Sequence, residues 1–361
     1  MKEIYREIVY RLESGDPLGL ATLIRRIGSA PREPGAKYLV RKDGTALGSI
    51  GGGCVEAEVW QETMRAIERQ ERKVLHFNLT SEQLAAGGLI CGGNIEVFVE
   101  PLLAEYLPLY KKVLEVMEER AEGVLATVVS AEGATSNLKE SKAFYSRKGG
   151  SVGALPEHPL LEGRLKNEME RILKLRRPEV VTVPPSQGEF GPWGKLQILL
   201  EPVFSAFTVY IFGAGHISEQ LAPLAKKVHF RVVVIDDREM FANRERFPDA
   251  DEIIVTDFDK AFEKVPVDSS SFIVIVTRGH LYDGLVLKEA VKTDACYIGM
   301  IGSRKKIATL YKKLSEEGIP ESMFNKVHAP IGLDIGSETP EEIAISIVAQ
   351  LIQERRKRLA S

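Results

Sequence analysis

The chain has 361 residues, 44% of them hydrophobic and 27% charged, with a formal net charge of -3 at pH 7. That length suits two or three domains with a sizeable core, and the balanced charge gives no reason to propose nucleic acid or an anionic membrane as a partner. Three widely spaced cysteines exclude a disulfide scaffold and point to a reducing cytoplasm.

Residues 1–20 carry Glu3, Arg6, Glu7, Arg11, Glu13 and Asp16, so they hold no signal-peptide core, and no apolar run is long enough to span a bilayer. Strands are predicted at 18–27, 36–41 and 45–50, with Lys42-Asp43-Gly44 as a hairpin turn. A helix over 55–68, strands at 74–78 and 95–100 and a linking helix over 105–120 follow. The pattern then repeats, with strands at 124–130, 143–147, 180–183 and 196–201 and a helix near 160–175.

An offset of 105 matches Leu20/Leu125, Ala21/Ala126, Thr22/Thr127, Lys37/Lys142 and Gly48/Gly153, and an offset of 101 lays Glu100-Pro101 on Glu201-Pro202. We read an internal duplication, with copies at about 18–103 and 123–204 inside an α+β domain of residues 1–205. What the copies share is scaffold, and what one copy alone has is a candidate site. Unique to the first are Pro31-Arg32, the run Gly51, Gly52, Gly53, Cys54, and Cys91-Gly92.

Beyond residue 205 the strands become short continuous apolar runs, such as Val232-Val233-Val234-Ile235, separated by helical stretches. Buried parallel strands with crossover helices give this alternation, so residues 206–361 are expected to form a Rossmann-like, doubly wound parallel α/β domain. Thr339, Pro340 and Glu342 sign the start of a last helix, apolar around much of its circumference, which is buried or at a subunit interface and leaves room for a homodimer. The basic tail Arg355-Arg356-Lys357-Arg358 complements the dipole at that helix's end.

Gly213, Gly215 and His216 follow a strand and open a helix, the position of the dinucleotide fingerprint, and Asp236 and Asp237 end the next strand, where a carboxylate can bond ribose hydroxyls and repel a 2′-phosphate. Gly302, Ser303 and Arg304 form a second turn after a strand; basic residues at a helix start oppose the dipole unless an anion sits there, and the competing reading is a solvated surface helix. His216 and His280 lie past strand ends, where ligands collect, though a lone histidine is more often neither ligand nor acid. Cys54 should sit near a helix N-terminus, which favours the thiolate, and Cys91 stands in another small-residue loop. A buried structural thiol is the competing reading, and the expected one for Cys296, read inside a strand.

The stretch from Gly48 through Cys54 to Glu56, Cys91-Gly92-Gly93, Gly213-Ala214-Gly215-His216, Asp236-Asp237-Arg238, Gly299 to Arg304 and His328 to Gly336 together resemble the XdhC/CoxI family of xanthine dehydrogenase accessory proteins. The resemblance implies a chaperone that binds the molybdenum (molybdopterin) cofactor, promotes its sulfuration with a cysteine desulfurase and delivers it to a xanthine dehydrogenase-type apoenzyme. It implies cofactor contacts from the residues singled out above, Glu56 and Gly92 among them, and a molybdenum or sulfur contact from Cys54 and Cys91. The fingerprint could also hold NAD or another nucleotide. An NAD-dependent oxidoreductase using His216 or His280 as acid and base is the alternative class, and it lacks a substrate-side catalytic set in the first domain.

Overall fold

Ile4, Tyr5, Ile8 and Leu12 recur at helical spacing, and in the computed structural model they are the buried face of a helix, α1 (Lys2–Glu13). The structure describes residues 1–28, 30–78, 93–119, 121–132, 141–156, 161–184 and 195–360. They fall into two units, Met1–Ser205 and Ala206–Ser361, and among the described residues no helix is long and apolar enough to cross a membrane.

In the first unit α1 leads into β1 (Leu18–Ile27), β2 (Lys37–Arg41), β3 (Ala46–Gly48), α2 (Gly53–Arg69), β4 (Lys73–Asn78) and β5 (Asn94–Leu102). The series then restarts with α3 (Leu107–Glu118), β6 (Glu122–Ala131), β7 (Lys142–Ser146), β8 (Ser151–Ala154), α4 (Leu161–Leu175), β9 (Glu179–Val183) and β10 (Leu196–Phe204). Both sheets are antiparallel with one topology, β3-β2-β1-β5-β4 and β8-β7-β6-β10-β9. The duplication reaches further back than its strands. Shifting α1 by 105 gives the bounds of α3, so the helix read as a linker is the first element of the second copy.

The repeat holds in detail. Gly48 and Gly153 take φ of 92° and 89°, and a Cβ on either would lie 2.3 Å from the carbonyl oxygen of Lys37 or Lys142. Ile24 and Val129 are the bulged residues of β1 and β6. A bulge re-aims its side chain; these two meet Phe98 and Leu199 in a core shared by both copies.

Lys37 and Lys142 bind the copies together. Lys37 Nζ donates to Thr22 Oγ1 (3.2 Å) in its own copy and to Glu201 Oε1 (2.7 Å) in the other; Lys142 Nζ donates to Thr127 Oγ1 (3.0 Å) and Glu100 Oε1 (2.6 Å). All four ionic side chains are buried. Burial pulls the Lys142 ammonium below its ordinary value, against the attraction and hydrogen bond of Glu100.

The second unit runs β11 (Thr208–Phe212), α5 (His216–Lys227), β12 (Arg231–Asp236), β13 (Glu252–Val255), β14 (Ser271–Ile275), α6 (His280–Ala290), β15 (Tyr297–Met300), α7 (Arg304–Glu316), β16 (Val327–His328) and α8 (Pro340–Ala360). Its strands are all parallel in the order β13-β12-β11-β14-β15-β16. Val209, Ile211, Val232 and Val234 feed the core on one face, and Tyr210, Phe212, Val233 and Ile235 the core on the other. Burial on both faces is why these strands read as unbroken apolar runs.

Two local expectations change. Cys296 lies one residue before β15 rather than within it, half-buried against the core. Arg355 donates to the carbonyl of Val228 (2.7 Å), the residue capping α5, and so serves that helix's end as well as the dipole of its own. The last helix starts as read: Glu342 N–H donates to Thr339 Oγ1 (3.3 Å) and Thr339 N–H to Glu342 Oε2 (3.1 Å).

The crossed ion pairs make a stability prediction. Lys142→Met strands a buried carboxylate and should cost the first unit about 3–5 kcal/mol in denaturant unfolding, whereas adding Glu100→Leu should recover most of that loss. A single-variant loss below about 1 kcal/mol would place the pair among weak surface bridges.

Candidate functional site

β3 ends at Gly48, and the chain turns into α2 through a run that favours glycine: Gly51, Gly52 and Gly53 take φ of 142°, 85° and 66°. Pro31, unique to this copy, backs the turn, and its Cγ would lie 2.7 Å from a Cβ on Gly51. Glu56, in the first turn of α2, reaches back. Its Oε1 accepts from Ser49 Oγ (2.6 Å) and from the N–H groups of Ile50 (2.9 Å), Gly51 (3.2 Å) and Gly52 (2.9 Å). Burial pushes this carboxyl up, but the hydroxyl and the three amides together outweigh it and hold it below its ordinary value.

The N–H groups that a glycine run would offer to a phosphate are therefore filled by the chain's own anion. Cys54, the second residue of α2, is exposed beside them, as is Gly53. Cys91 and Gly92 lie outside the described residues. Among the described residues no group of three or more His, Cys, Asp or Glu side chains could hold a metal ion.

In the second unit the parallel sheet puts the turn after β11 and the turn after β15 on one edge. Gly213, at φ 106°, lets the chain pass β14; a Cβ there would sit 2.4 Å from the carbonyl oxygen of Val276. Gly215 caps α5 and His216 opens it, with its ring exposed. The first N–H groups of any α-helix have no acceptor within it, and here they face the edge where ligands bind in open α/β sheets. Ser218, in place of a third glycine, is buried and donates to the carbonyl of Gly213. Ser303 caps α7, with Lys306 N–H on its Oγ (3.4 Å); Gly302 has φ 155° and Arg304 is exposed. His280 is the first residue of α6.

The two acids after β12 are not free. Asp236 is 1% exposed. Its Oδ2 accepts from Ala214 N–H (2.8 Å) and Arg238 Nη2 (3.1 Å), and its Oδ1 from Arg238 N–H (3.0 Å) and Nε (2.9 Å). Asp237 is gripped at both oxygens by Arg278, with Nη2 to Oδ2 at 2.7 Å and Nη1 on Oδ1. That hydrogen bonding, against a smaller burial effect, holds the Asp237 carboxyl down at about 2. Arg238 lies over the ring of Phe241 (3.8 Å) and Arg278 over that of Tyr282 (4.1 Å). Sequence reading missed Arg246 entirely: its Nη1 donates to the Ala214 carbonyl (2.8 Å) and its Nη2 to Glu219 Oε2 (2.8 Å), bracing the glycine turn. Only the Asp-Asp-Arg run hinted in the sequence that the acids have basic partners.

A six-stranded parallel sheet in the order 3-2-1-4-5-6, with a glycine turn at its switch point, places the second unit among Rossmann domains. Residues 209–351 match the family model of the XdhC Rossmann domain, and residues 11–78 that of the XdhC and CoxI family. The chain belongs to the XdhC and CoxI family. It is 27% identical over 350 residues to a probable xanthine dehydrogenase subunit of Bacillus subtilis, covering 96% of either chain. It is 22% identical over 360 residues to the molybdenum cofactor insertion chaperone PaoD of Escherichia coli, covering 98% of this chain and 88% of that one. The crystal structure of a xanthine dehydrogenase from Bacillus halodurans matches with a TM-score of 0.76 at 28% identity, over 98% of this chain and 96% of that one.

The Glu56 turn carries its own test. Glu56→Ala should speed hydrogen exchange at the amides of Ile50, Gly51 and Gly52 by about ten- to a hundredfold, the loss expected for bonds to a charged acceptor. Because folding lowers the Glu56 carboxyl, its contribution is complete above the ordinary glutamate value and is lost as pH falls through the lower folded one. Acid should therefore loosen these amides, relative to the rest of the unit, in the parent protein and not in Glu56→Ala.

Proposed function

We propose that this protein binds the molybdenum (molybdopterin) cofactor, assists its sulfuration with a cysteine desulfurase, and delivers it to a xanthine dehydrogenase-type apoenzyme. The observation that carries the reading is Cys54, an exposed thiol on a turn of three positive-φ glycines. A cysteine sulfur is a soft donor, suited to molybdenum or to sulfur, and this one stands where the second copy has Pro156 to Pro159. The relatives' names, an insertion chaperone and a xanthine dehydrogenase subunit, support the same reading.

When bound, the cofactor supplies a molybdenum centre and a phosphate. Cys54 fits the first. For the phosphate, the amides of Ile50 to Gly52 do not fit, since Glu56 holds them. The helix starts at Gly215-His216 and at Ser303-Arg304 do fit, with unmatched N–H groups at each and the Arg304 guanidinium beside the second. The NAD-dependent oxidoreductase reading loses ground here, because Asp236 is buried with both oxygens bonded and Asp237 could meet a ribose only by parting from Arg278.

Protein purified from cells making molybdopterin should release a fluorescent oxidised pterin on denaturation, and Cys54→Ser should reduce both that yield and activation of the client enzyme. Released NAD with no pterin would overturn the proposal. Arg304→Ala should weaken phosphate binding by about 1.5–3 kcal/mol if a charge-assisted bond is lost; unchanged affinity in calorimetry would return Arg304 to the solvated surface.

A further inference from the structure

The strand order sets the glycine turn of β11 between the ends of β12 and β14. Asp237 directly follows β12, and Arg278 follows β14. Their ion pair therefore crosses over the turn instead of lying beside it, bridging two strand spacings, or about 10 Å. This is the crevice in which open α/β sheets hold their ligands.

The bridge is complete in itself. Arg278 engages both oxygens of Asp237, lies on the Tyr282 ring and approaches Asp236 at 3.9 Å. Asp236, buried and with both oxygens already bonded, cannot turn to a ligand without releasing Ala214 N–H and Arg238. Asp237 and Arg278 are the pair at the crevice that can change partners: their side chains are 17% and 31% exposed, and an incoming diphosphate offers the guanidinium the same two-oxygen grip that it would give up.

We propose that the Arg278–Asp237 pair is a strap across the crevice which a nucleoside diphosphate opens by exchange, its diphosphate taking the Arg278 guanidinium and its ribose hydroxyls donating to the Asp237 carboxylate so released. The inference rests on reading this edge as the anion-binding side of the cofactor site. A nucleoside alone offers nothing to Arg278 once Asp237 has left it. A bare diphosphate takes Arg278 and strands Asp237. Only a ligand with both parts satisfies both side chains, so the strap selects nucleotides over either fragment.

Calorimetry on the full chain with ADP, adenosine and inorganic pyrophosphate as probes tests this. The parent protein should bind ADP at least about tenfold more tightly than either fragment, and Arg278→Ala should weaken ADP by about tenfold or more, as for loss of a charge-assisted bond. Asp237→Asn should separate the probes. Pyrophosphate should bind more tightly, because its competitor for Arg278 is gone, while the advantage of ADP over pyrophosphate shrinks. A pair that merely braced the fold would move every probe the same way in both variants, and that pattern overturns the strap, as does unchanged or weaker pyrophosphate binding in Asp237→Asn. If neither ADP nor pyrophosphate binds but pterin is retained, the strap falls and the cofactor reading stands. The expected probe pattern with no pterin would leave the strap standing and the cofactor reading fallen.

Discussion

Lys37 and Lys142 are buried where the two copies of the first unit meet, and each finds its carboxylate in the other copy. Withdrawing an ammonium from water costs several kcal/mol unless a counter-ion and hydrogen bonds replace the solvent. Each lysine has a threonine hydroxyl from its own sheet, and that alone would leave a buried charge uncompensated. The exchange of carboxylates couples the sheets: Lys37 without the second copy, or Lys142 without the first, is a buried cation with no anion. This gives a physical reason why a second copy stripped of glycine run and thiol persists. It supplies Glu201 and accepts Glu100.

The seam also locates the divergence. Residues near it keep their partners in both copies, as Tyr5 and Tyr110, Thr22 and Thr127, and Gly48 and Gly153 do. The copies part at the turn beyond β3 and β8, on the far side of those glycines. At the 105 offset Ala154 stands for Ser49 and Pro156 for Gly51, which removes the hydroxyl and one of the three amides that hold Glu56. The burial pattern of the following helix, Val59 with Leu165 and Ala66 with Ile172, then runs one residue longer, so Glu162 is the counterpart of Glu56, and it is exposed. The acid survived the loss of the hydroxyl and of one of those amides.

Legibility in the sequence followed burial. The strands of the second unit are covered on both faces, and their apolar runs announced both the strands and the parallel sheet. In α1 the helical spacing of Ile4, Tyr5, Ile8 and Leu12 is present, but the charges interleaved with it, Glu3, Arg6 and Glu7, dilute its apolar signal. β16, two residues long, gains its place from the backbone of β15 and not from its own pattern. At the candidate site the glycine turns could be read, since φ values such as those of Gly51 and Gly213 favour glycine. What fills them could not: the bond from Glu56 to the amides behind it, and those from Arg238 and Arg278 to the acids, depend on rotamers and on which strand ends are neighbours. Arg246, far along the chain from Ala214, left no local signal at all.

Both units meet the same electrostatic problem in the same manner. A glycine turn at a helix start gathers N–H groups with nothing to bond, and an anion there is stabilised by the helix dipole as well as by the bonds. In the first unit the chain supplies that anion from within, through Glu56. In the second it supplies one to Ala214 N–H alone, through Asp236, and leaves the helix start at Gly215 open. The difference matters for what each turn can do. A turn closed on its own carboxylate has a fixed shape and is suited to holding out a side chain, as the first unit does with Cys54. A turn left partly open is suited to taking an anion from outside, and the acids beside it must then be neutralised or they would repel that anion. Arg238 and Arg278 neutralise them, so the same two arginines that engage the acids also make the crevice habitable for a phosphate.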